Sequence, residues 1–368
     1  MKFTISRDAL RAGLDLVRGV VPAKFFAMPV LGNVLLEASS AGLRLAATDL
    51  ELSVETSVAA DVDTEGGITL PAKRLVEIAK ELPDGPVRFG FAEQRVGIDA
   101  GRSKFKLLGL PREEFPLFPA VKFDGSWKAP AGTLHALVER VAFAASTEES
   151  RPILNGVLWE MRPERMRMVA TNGHRLARMD VPSQGGSIAD IIVPPKALEQ
   201  MRRLFPADAG VETARRDNLL ALRSASTTLV TRLIEGPYPA YESVLPKAND
   251  KVATVDRAEL TAALRRMRVV ASSDLPRVVL AFGSEASVKV STSTPDTGGA
   301  SDAVPVRYEG EPLEIGFNVT YLLEALGKMP TDEVRLTFKT ASTAATIEPV
   351  GWDDPAAYLV LLMPLRLD

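Results

Sequence analysis

The feature that most constrains this chain is a weak internal repeat that runs through it three times. Each copy opens with a short extended segment and then a helical pattern, with apolar residues at i, i+4 and i+7. In the first copy these residues are Leu10, Leu14 and Val17. In the later copies the matching residues are Leu134, Val138, Val141 and Leu260, Leu264, Met267. The pattern predicts three similar domains.

A second helical segment recurs later in each copy and is stopped by a proline. The three prolines are Pro83, Pro206 and Pro330, which lie 123 and 124 positions apart. The opening helices keep nearly the same spacing. The opening helix and the proline-ended helix thus both recur at near-constant spacing. This favours a true repeat over the alternative of three unrelated α+β domains of similar size.

Alternating apolar and polar residues between and after the helices predict antiparallel strands. In one of these strands we expect Leu50, Leu52 and Val54 to form the buried face. The predicted fold class is therefore α+β, with three repeated domains that each pack two helices on antiparallel β-sheet.

Polar or proline-bearing stretches near residues 119–124 and 246–250 indicate where one domain gives way to the next. The predicted domains are residues 1–121, 122–247 and 248–368.

The composition excludes several kinds of site. The chain has no cysteine, which removes disulfides, thiolate metal sites and cysteine nucleophiles. Its two histidines, His135 and His174, are too few for a multi-histidine metal site. No phosphate-binding glycine loop and no nucleophile-elbow serine is present. We expect no catalytic residue, no metal and no cofactor; a hydrolase with a hidden metal or carboxylate site is the alternative.

The N-terminus and the apolar runs bear on location. Charged residues arrive before any apolar stretch long enough for a signal peptide, and no run approaches the ~18 apolar residues needed to span a bilayer. We therefore expect a cytoplasmic protein.

Charge is distributed unevenly along the chain. The net charge is −3, yet the predicted helices carry an excess of basic residues, so the rest of the chain is acidic. Some basic residues fall seven apart on one helix face, such as Lys73 with Lys80 and Lys196 with Arg203. This surface fits a polyanion contacted through its phosphates, without reading of sequence. Ordinary solvated helix faces are an equal alternative.

Several short motifs are spread along the chain in a fixed order. They are Met1-Lys2-Phe3-Thr4, Pro29-Val30-Leu31-Gly32-Asn33, Ala47-Thr48-Asp49-Leu50-Glu51, Leu154-Asn155-Gly156, Ala170-Thr171-Asn172-Gly173-His174-Arg175-Leu176, Tyr238-Pro239-Ala240-Tyr241 and Met363-Pro364-Leu365-Arg366-Leu367. With the three repeats, they resemble the bacterial DNA polymerase III beta subunit, the sliding-clamp family.

The resemblance implies a DNA polymerase processivity factor without catalysis of its own. Two chains would join head to tail as a homodimer and form a ring around duplex DNA, with helices lining the hole. The ring would tether the replicative polymerase alpha subunit, the clamp loader and other proteins that carry clamp-binding peptides.

The resemblance also implies a peptide groove between the second and third domains. Its residues would be Leu154, Thr171, Gly173, His174, Arg175, Leu176, Pro239, Val244, Met363, Pro364 and Arg366, with Thr171, Leu176, Val244 and Met363 forming the apolar pocket. For His174 and Arg175, turn capping and surface charge are the alternative roles.

The helix charges and the resemblance together give a candidate set of DNA contacts. It comprises Lys24, Lys73, Arg74, Lys80, Arg151, Lys196, Arg202 and Arg203.

At the dimer interface, Phe105 and Leu107 on the strand at 103–108 would pair with an edge strand near 302–306, with Val269 and Val270 packing behind. An ordinary edge strand protected by its lysines is the alternative.

Four departures from the family pattern bear on these sites, and one is Lys24, which stands where the family has a DNA-contacting arginine. Ser243 stands where the family has an arginine in the groove. Pro152 and Ile153 replace aromatic residues that touch DNA, and the segment before the final motif is longer than usual. A peptide-binding scaffold with basic helices stays open as an alternative function, which equal retention on circular and linear DNA would favour.

Overall fold

The computed structural model describes residues 1–23, 28–92, 95–183, 189–272, 276–294, 298–352 and 357–367. Those residues form six α-helices: α1 (Arg7–Val17), α2 (Ala72–Glu81), α3 (Ala131–Val141), α4 (Pro195–Leu204), α5 (Arg257–Val270) and α6 (Val319–Lys328). The first strands are β1 (Lys2–Ser6), β2 (Asn33–Ser39), β3 (Gly42–Thr48), β4 (Leu52–Val58), β5 (Asp61–Thr64), β6 (Gly66–Pro71), β7 (Pro86–Ala92), β8 (Arg95–Ala100), β9 (Ser103–Leu108), β10 (Leu110–Pro111) and β11 (Trp127–Pro130).

The later strands follow the same strand–helix–strand order. They are β12 (Val157–Met161), β13 (Arg165–Thr171), β14 (Arg175–Pro182), β15 (Ala189–Val193), β16 (Gly210–Arg216), β17 (Leu219–Ser224), β18 (Thr227–Arg232), β19 (Lys251–Asp256), β20 (Arg277–Phe282), β21 (Ser287–Thr294), β22 (Gly298–Glu309), β23 (Leu313–Asn318), β24 (Glu333–Phe338), β25 (Ala345–Pro349) and β26 (Tyr358–Leu362).

The chain divides into two compact units. Unit 1 comprises residues 1–134 and 196–233, and unit 2 comprises residues 135–195 and 234–368.

Unit 1 contains two antiparallel sheets. Sheet I has the order β5-β1-β7-β8-β9, and sheet II has the order β10-β6-β2-β3-β4-β18-β17-β16-β11. The β4–β18 pairing joins strands of the first and second repeats, with Val54 opposite Leu229 and a buried hydrogen bond of 2.9 Å between the hydroxyls of Thr56 and Thr227. Two repeats therefore share one continuous sheet.

Unit 2 contains one larger antiparallel sheet. Sheet III has the order β15-β12-β13-β14-β26-β25-β24-β19-β22-β21-β20-β23. Here β26 lies between β14 and β25, with Leu361 opposite Leu176 on one side and Thr346 on the other. The last described strand thus joins the second repeat to the third.

The helices bury the apolar stripes that the sequence predicts. All nine stripe residues of α1, α3 and α5 are buried, which confirms the repeat pattern. Side-chain caps fix three helix starts: Ser6 accepts from the Ala9 amide at 3.2 Å, Asp256 from the Glu259 amide at 2.8 Å, and Asn318 from the Thr320 amide at 2.9 Å. The second helices α2, α4 and α6 each end two residues before the predicted proline.

The prediction that Leu50 begins a strand face is wrong. The strand β4 starts at Leu52, and Leu50 lies in a turn with φ 78° and 45% of its surface exposed. The turn forms because the Asp49 carboxylate accepts hydrogen bonds from the Glu51 and Leu52 amides at 3.1 and 2.7 Å. The opposite strand face, which the alternation predicts to be exposed to solvent, is also partly buried. Ser53 on that face is buried, and its hydroxyl is hydrogen bonded to that of Thr48 at 2.8 Å.

In the described part of the chain, no helix combines the length and the apolar character needed to cross a membrane. The same residues include no group of three or more histidine, aspartate or glutamate side chains that could hold a metal ion.

Candidate functional site

A tight turn between β13 and β14 forms the centre of the predicted groove. The Asn172 side-chain oxygen accepts hydrogen bonds from the His174 and Arg175 amides at 2.9 and 3.0 Å. The Thr171 hydroxyl accepts from the Gly173 amide at 3.1 Å, and Gly173 has φ 88°. This frame holds His174 exposed at the end of the hairpin, as the Asn-Gly signal predicts.

Beneath the turn lies an apolar cluster that forms the floor of the groove. Its buried members are Leu158, Val169, Leu176, Ile192, Tyr241, Leu359 and Leu361. The predicted pocket residue Leu176 is only 1% exposed, so it belongs to the floor and a charge there would disrupt unit 2. Val244 and Met363 are 53% and 42% exposed, which makes them the accessible apolar side chains of the predicted set.

The C-terminal segment is tied to the turn through the backbone. The Met363 amide donates to the His174 carbonyl at 2.8 Å, immediately after β26 ends. The Leu365 amide donates to the Gly316 carbonyl at 2.8 Å, and the Arg366 carbonyl accepts from Arg277 at 3.0 Å. The structure therefore brings Met363 and His174 together, with Pro364 half-buried and Arg366 exposed beyond them.

Arg175 is enclosed by groups that the sequence did not reveal. It is 8% exposed, pairs with Glu324 of α6 and donates to the Phe143 carbonyl. Its guanidinium lies 4.4 Å from the Tyr321 ring centroid and 5.2 Å from that of Phe143. Arg175 thus anchors the turn to α6. Its helix partners share one face at i and i+3, but no local pattern indicates that this face meets a turn about 150 residues earlier.

Two other predicted groove residues directly follow side chains that pack against the floor cluster, Ile153 and Tyr238. Leu154 is half-buried, and its carbonyl accepts from the Ser146 amide at 2.8 Å. Pro239 is exposed, and its carbonyl accepts from the Tyr241 amide at 2.7 Å. Ser243 donates to the Ala240 carbonyl at 2.7 Å, so it closes its own turn rather than extending into the groove.

In unit 1 the basic residues of α2 lie opposite its buried stripe. Lys73, Arg74 and Lys80 are exposed, and all three line a cavity of about 1060 Å³. Arg18 and Arg203 border the same cavity, with Glu77 as the acidic residue among its described lining. Five cations against one carboxylate give a locally positive surface on an acidic protein.

The basic residues of α4 make contacts within unit 1. Lys196 forms an ion pair with Asp49, and Arg203 donates to the Asp15 carbonyl. Arg202 lies 3.6 Å from Glu199. In unit 2, Arg151 is exposed and lies 3.5 Å from Glu148. The remaining predicted DNA contact, Lys24, lies outside the described residues.

The predicted dimer residues differ in exposure. Phe105 is half-buried and Leu107 is only 8% exposed within its own chain, whereas the neighbouring Leu108 is 68% exposed. On α5, Val269 is 85% exposed and Val270 is half-buried. On the predicted interface segments, the strongly exposed apolar residues are therefore Leu108, which lies in the predicted strand but outside the predicted residue set, and Val269.

Two unlike strand edges accompany these residues. Among the described residues β9 pairs only with β8, at the end of sheet I. Residues 298–305 of β22 pair with β21 on one side, whereas β19 takes up the other side only from Val306 onward. In unit 1 β9, and in unit 2 residues 298–305 of β22, are thus among the strand edges that have no partner strand in the described part of the chain.

Family models of the DNA polymerase III beta subunit match the chain in three parts. The N-terminal domain model matches residues 1–119, the central domain model 129–240 and the C-terminal domain model 242–365. The chain is similar to the beta sliding clamps of Pseudomonas putida, at 36% identity over 374 residues, and of Escherichia coli K12, at 32% over 371 residues. Both comparisons cover 100% of each chain.

Solved structures agree with the sequence relatives. The DNA polymerase III subunit beta of Pseudomonas aeruginosa has a TM-score of 0.93 at 34% identity, and the Bacillus subtilis polymerase sliding clamp has 0.95 at 26%. A further Pseudomonas aeruginosa sliding clamp, bound to griselimycin, has a TM-score of 0.93 at 34% identity. Each comparison covers 100% of both chains. With three family models matching in order along its length, this chain belongs to the DNA polymerase III beta subunit family, the bacterial beta sliding clamps.

Proposed function

We propose that this chain works as a DNA polymerase processivity factor, in which two copies form a ring that encircles duplex DNA and slides along it. The ring tethers the replicative polymerase alpha subunit and other proteins that carry clamp-binding peptides. Enclosure holds the DNA, so the protein needs neither a catalytic residue nor sequence-specific contacts.

The observation that carries this proposal is the pair of unlike strand edges. A long exposed edge is an aggregation hazard unless something covers it. Joining β9 of one copy head to tail with residues 298–305 of the other would cover both edges. Sheet I of one copy would then continue without a break into sheet III of the other. The exposed Leu108 and Val269 would gain burial at the same joint, where α5 packs against β22. Phe105, Leu107 and Val270 would support it from within.

The positive cavity on α2 supports the DNA part of the proposal. Lys73, Arg74 and Lys80 have the exposure needed to contact backbone phosphates, and Lys24, Arg151, Lys196, Arg202 and Arg203 complete the proposed set. Such contacts exchange readily with counterions and bridging water, which lets a ring move along the duplex.

The groove of unit 2 supports the partner part of the proposal. Met363 and Val244 are exposed apolar residues next to the buried floor in sequence, since Met363 follows β26 and Val244 precedes Leu245, which packs against the floor; this suits an extended peptide with apolar anchor residues. We place the three repeated domains at 1–121, 122–247 and 248–368, since the family-model matches end close to these bounds. Because the proposed partner is bacterial replication machinery, we place the protein in the cytoplasm.

Loading on DNA of two shapes tests this function. Clamp loaded on nicked circular DNA should resist a salt wash, whereas cutting the circle once should release most of it. Blocking both ends of the cut DNA with bound streptavidin should restore retention, which controls for damage at the cut. Equal retention on open linear and circular DNA, or a monomeric mass in solution, would overturn the ring and favour a peptide-binding scaffold.

A further inference from the structure

A buried arginine lies behind the groove wall and has no role in the function described so far. Arg167, in the middle of β13, has only 7% of its side chain exposed. Its guanidinium makes a two-point contact with the Asp180 carboxylate, at 2.6 and 2.8 Å. This hydrogen bonding raises the pKa of Arg167 above its usual value, so the side chain is always charged.

The same guanidinium reaches out of the sheet to the groove wall. Arg167 Nη1 donates to the Tyr241 hydroxyl at 2.8 Å and to Glu242 at 3.2 Å. The Tyr241 hydroxyl in turn donates to Glu160 of β12 at 2.9 Å. Burial raises the pKa of Tyr241 to about 12, so at neutral pH its hydroxyl is protonated and can make both bonds.

Tyr241 begins the short 3-10 helix Tyr241–Val244, which follows Pro239. The groove residues Pro239 and Val244 therefore flank it closely in sequence. This stretch is outside the sheets, and its described backbone bonds are local ones, from Tyr241 to Pro239 and from Ser243 to Ala240. The Tyr241 ring packs in the floor cluster and its hydroxyl is bonded to sheet III, which fixes the wall at both ends of one side chain.

The first repeat contains a related arginine network, in which the second carboxylate stands at a different position: Asp180 lies opposite Arg167 in the sheet, whereas Ser57 lies opposite Arg44. Arg44 of β3 contacts Glu37 of β2 and Glu55 of β4, and it lies 5.5 Å from the Phe118 ring centroid. Arg44, Glu37 and Phe118 each precede Arg167, Glu160 and Tyr241 by 123 positions. Phenylalanine has no hydroxyl, so Phe118 contacts Arg44 through its ring face and makes no hydrogen bond to the arginine network.

We propose that Arg167 and Tyr241 are positioning residues for peptide binding, because their hydrogen bond holds the Pro239–Val244 wall in the geometry that the peptide meets. The proposal rests on the peptide groove of the proposed function. A preformed wall reduces the ordering that binding would otherwise require, so its loss weakens affinity without removing any peptide contact.

The test is Tyr241→Phe in the full-length dimer, which removes the hydroxyl and keeps the ring in the floor. Anisotropy with a fluorescein-labelled clamp-binding peptide from the replicative polymerase measures the dissociation constant. We expect it to rise about tenfold, the scale of one lost hydrogen bond to a charged group. Arg167→Met should give a similar rise, and the double variant should be no worse than the larger single effect, because both break one bond.

Arg44→Met is the matched control, since it removes the same kind of network where no groove residue is bonded to it. The Arg44 side chain is 32% exposed against 7% for Arg167, so Arg44→Met should lower the melting temperature by less than Arg167→Met does, and it should leave peptide affinity within twofold. If Tyr241→Phe binds the peptide as tightly as the unmodified chain, or if Arg44→Met weakens binding equally, the positioning role is wrong. If Met363→Glu also leaves binding unchanged, the groove itself is wrong, which separates the two failures.

Discussion

Two turns in this chain have the same backbone frame and carry different chemistry. In the first repeat, between β3 and β4, Thr48 accepts from the Leu50 amide at 3.0 Å and Asp49 accepts from the next two amides. In the second repeat, between β13 and β14, Thr171 and Asn172 make the corresponding bonds. The third residue has φ 78° at Leu50 and 88° at Gly173. The frame is thus repeated almost bond for bond.

The side chains on the two frames diverge. Around the first turn, the Glu51 carbonyl accepts from the Arg232 amide at 2.9 Å, and the two side chains lie 3.9 Å apart as an ion pair. Around the second turn, Met363 takes the place of Arg232 and His174 the place of Glu51. One turn therefore ends in a charged pair and the other in an exposed apolar side chain. The comparison teaches that the fold supplies the frame twice, while a few side chains decide where a peptide can bind.

The largest effect should come from Met363→Glu. A carboxylate beside the groove floor would have to be desolvated when an apolar anchor binds, so we expect about a hundredfold loss of peptide affinity, or about 2.7 kcal/mol. Fluorescence anisotropy with a labelled clamp-binding peptide measures it. Arg232→Ala, at the corresponding place beside the first turn, is the control and should leave affinity within twofold. Equal losses from both changes would mean that the two turns do not differ in the way proposed.

A smaller effect should separate the ties between each turn and its helix. Glu324→Gln leaves the buried guanidinium of Arg175 without its carboxylate. We expect it to lower the free energy of opening the second turn by about 2 kcal/mol. Lys196→Ala removes the pair with Asp49, but the lysine side chain is 53% exposed, so the cost should be below about 1 kcal/mol. Hydrogen exchange at the Arg175 and Leu52 amides reads each turn separately. We expect Glu324→Gln to speed exchange at the Arg175 amide more than Lys196→Ala speeds exchange at the Leu52 amide. The opposite order would reverse our assignment.

The smallest effect concerns the left-handed residue of each turn. Gly173→Ala should lower the free energy of unfolding by about 1 kcal/mol, because a residue with a side chain is strained at φ 88°. Space is not the obstacle, since the added Cβ would meet only the flexible end of Arg151, at 3.3 Å. Leu50→Gly relieves similar strain but gives the unfolded chain more freedom, so its net effect should stay within about 0.5 kcal/mol. The midpoints of urea unfolding measure both. A stabilising Gly173→Ala would show that the two turns are not held in the same way.

Sequence reasoning predicted the parts of this molecule that depend on local pattern. The nine stripe residues, the proline-ended helices and the Asn-Gly turn follow from periodicity and turn chemistry over a few residues. Leu50 was misplaced because the Asp49 carboxylate captures two backbone amides, which outweighs the apolar alternation around it.

The missed residues depend on contacts between distant parts of the chain. Glu324 lies about 150 positions from Arg175, and Tyr241 lies 74 from Arg167, so neither pairing leaves a local signal. Leu176, predicted for the apolar pocket, is 1% exposed and packs with Leu359 and Leu361 of β26, a contact between distant segments that no local pattern indicates.

The position of β26 inside sheet III has a consequence for synthesis on the ribosome. Sheet II needs no residue beyond 232, so it can be complete while the remaining segments are still being translated. Sheet III lacks an interior strand until residues 358–362 emerge, and until then β14 and β25 expose the edges that β26 will later fill. A nascent chain should therefore keep the aggregation-prone edges of β14 and β25 exposed until the end of its synthesis. Any chaperone that protects these edges would be needed at the final stage of translation.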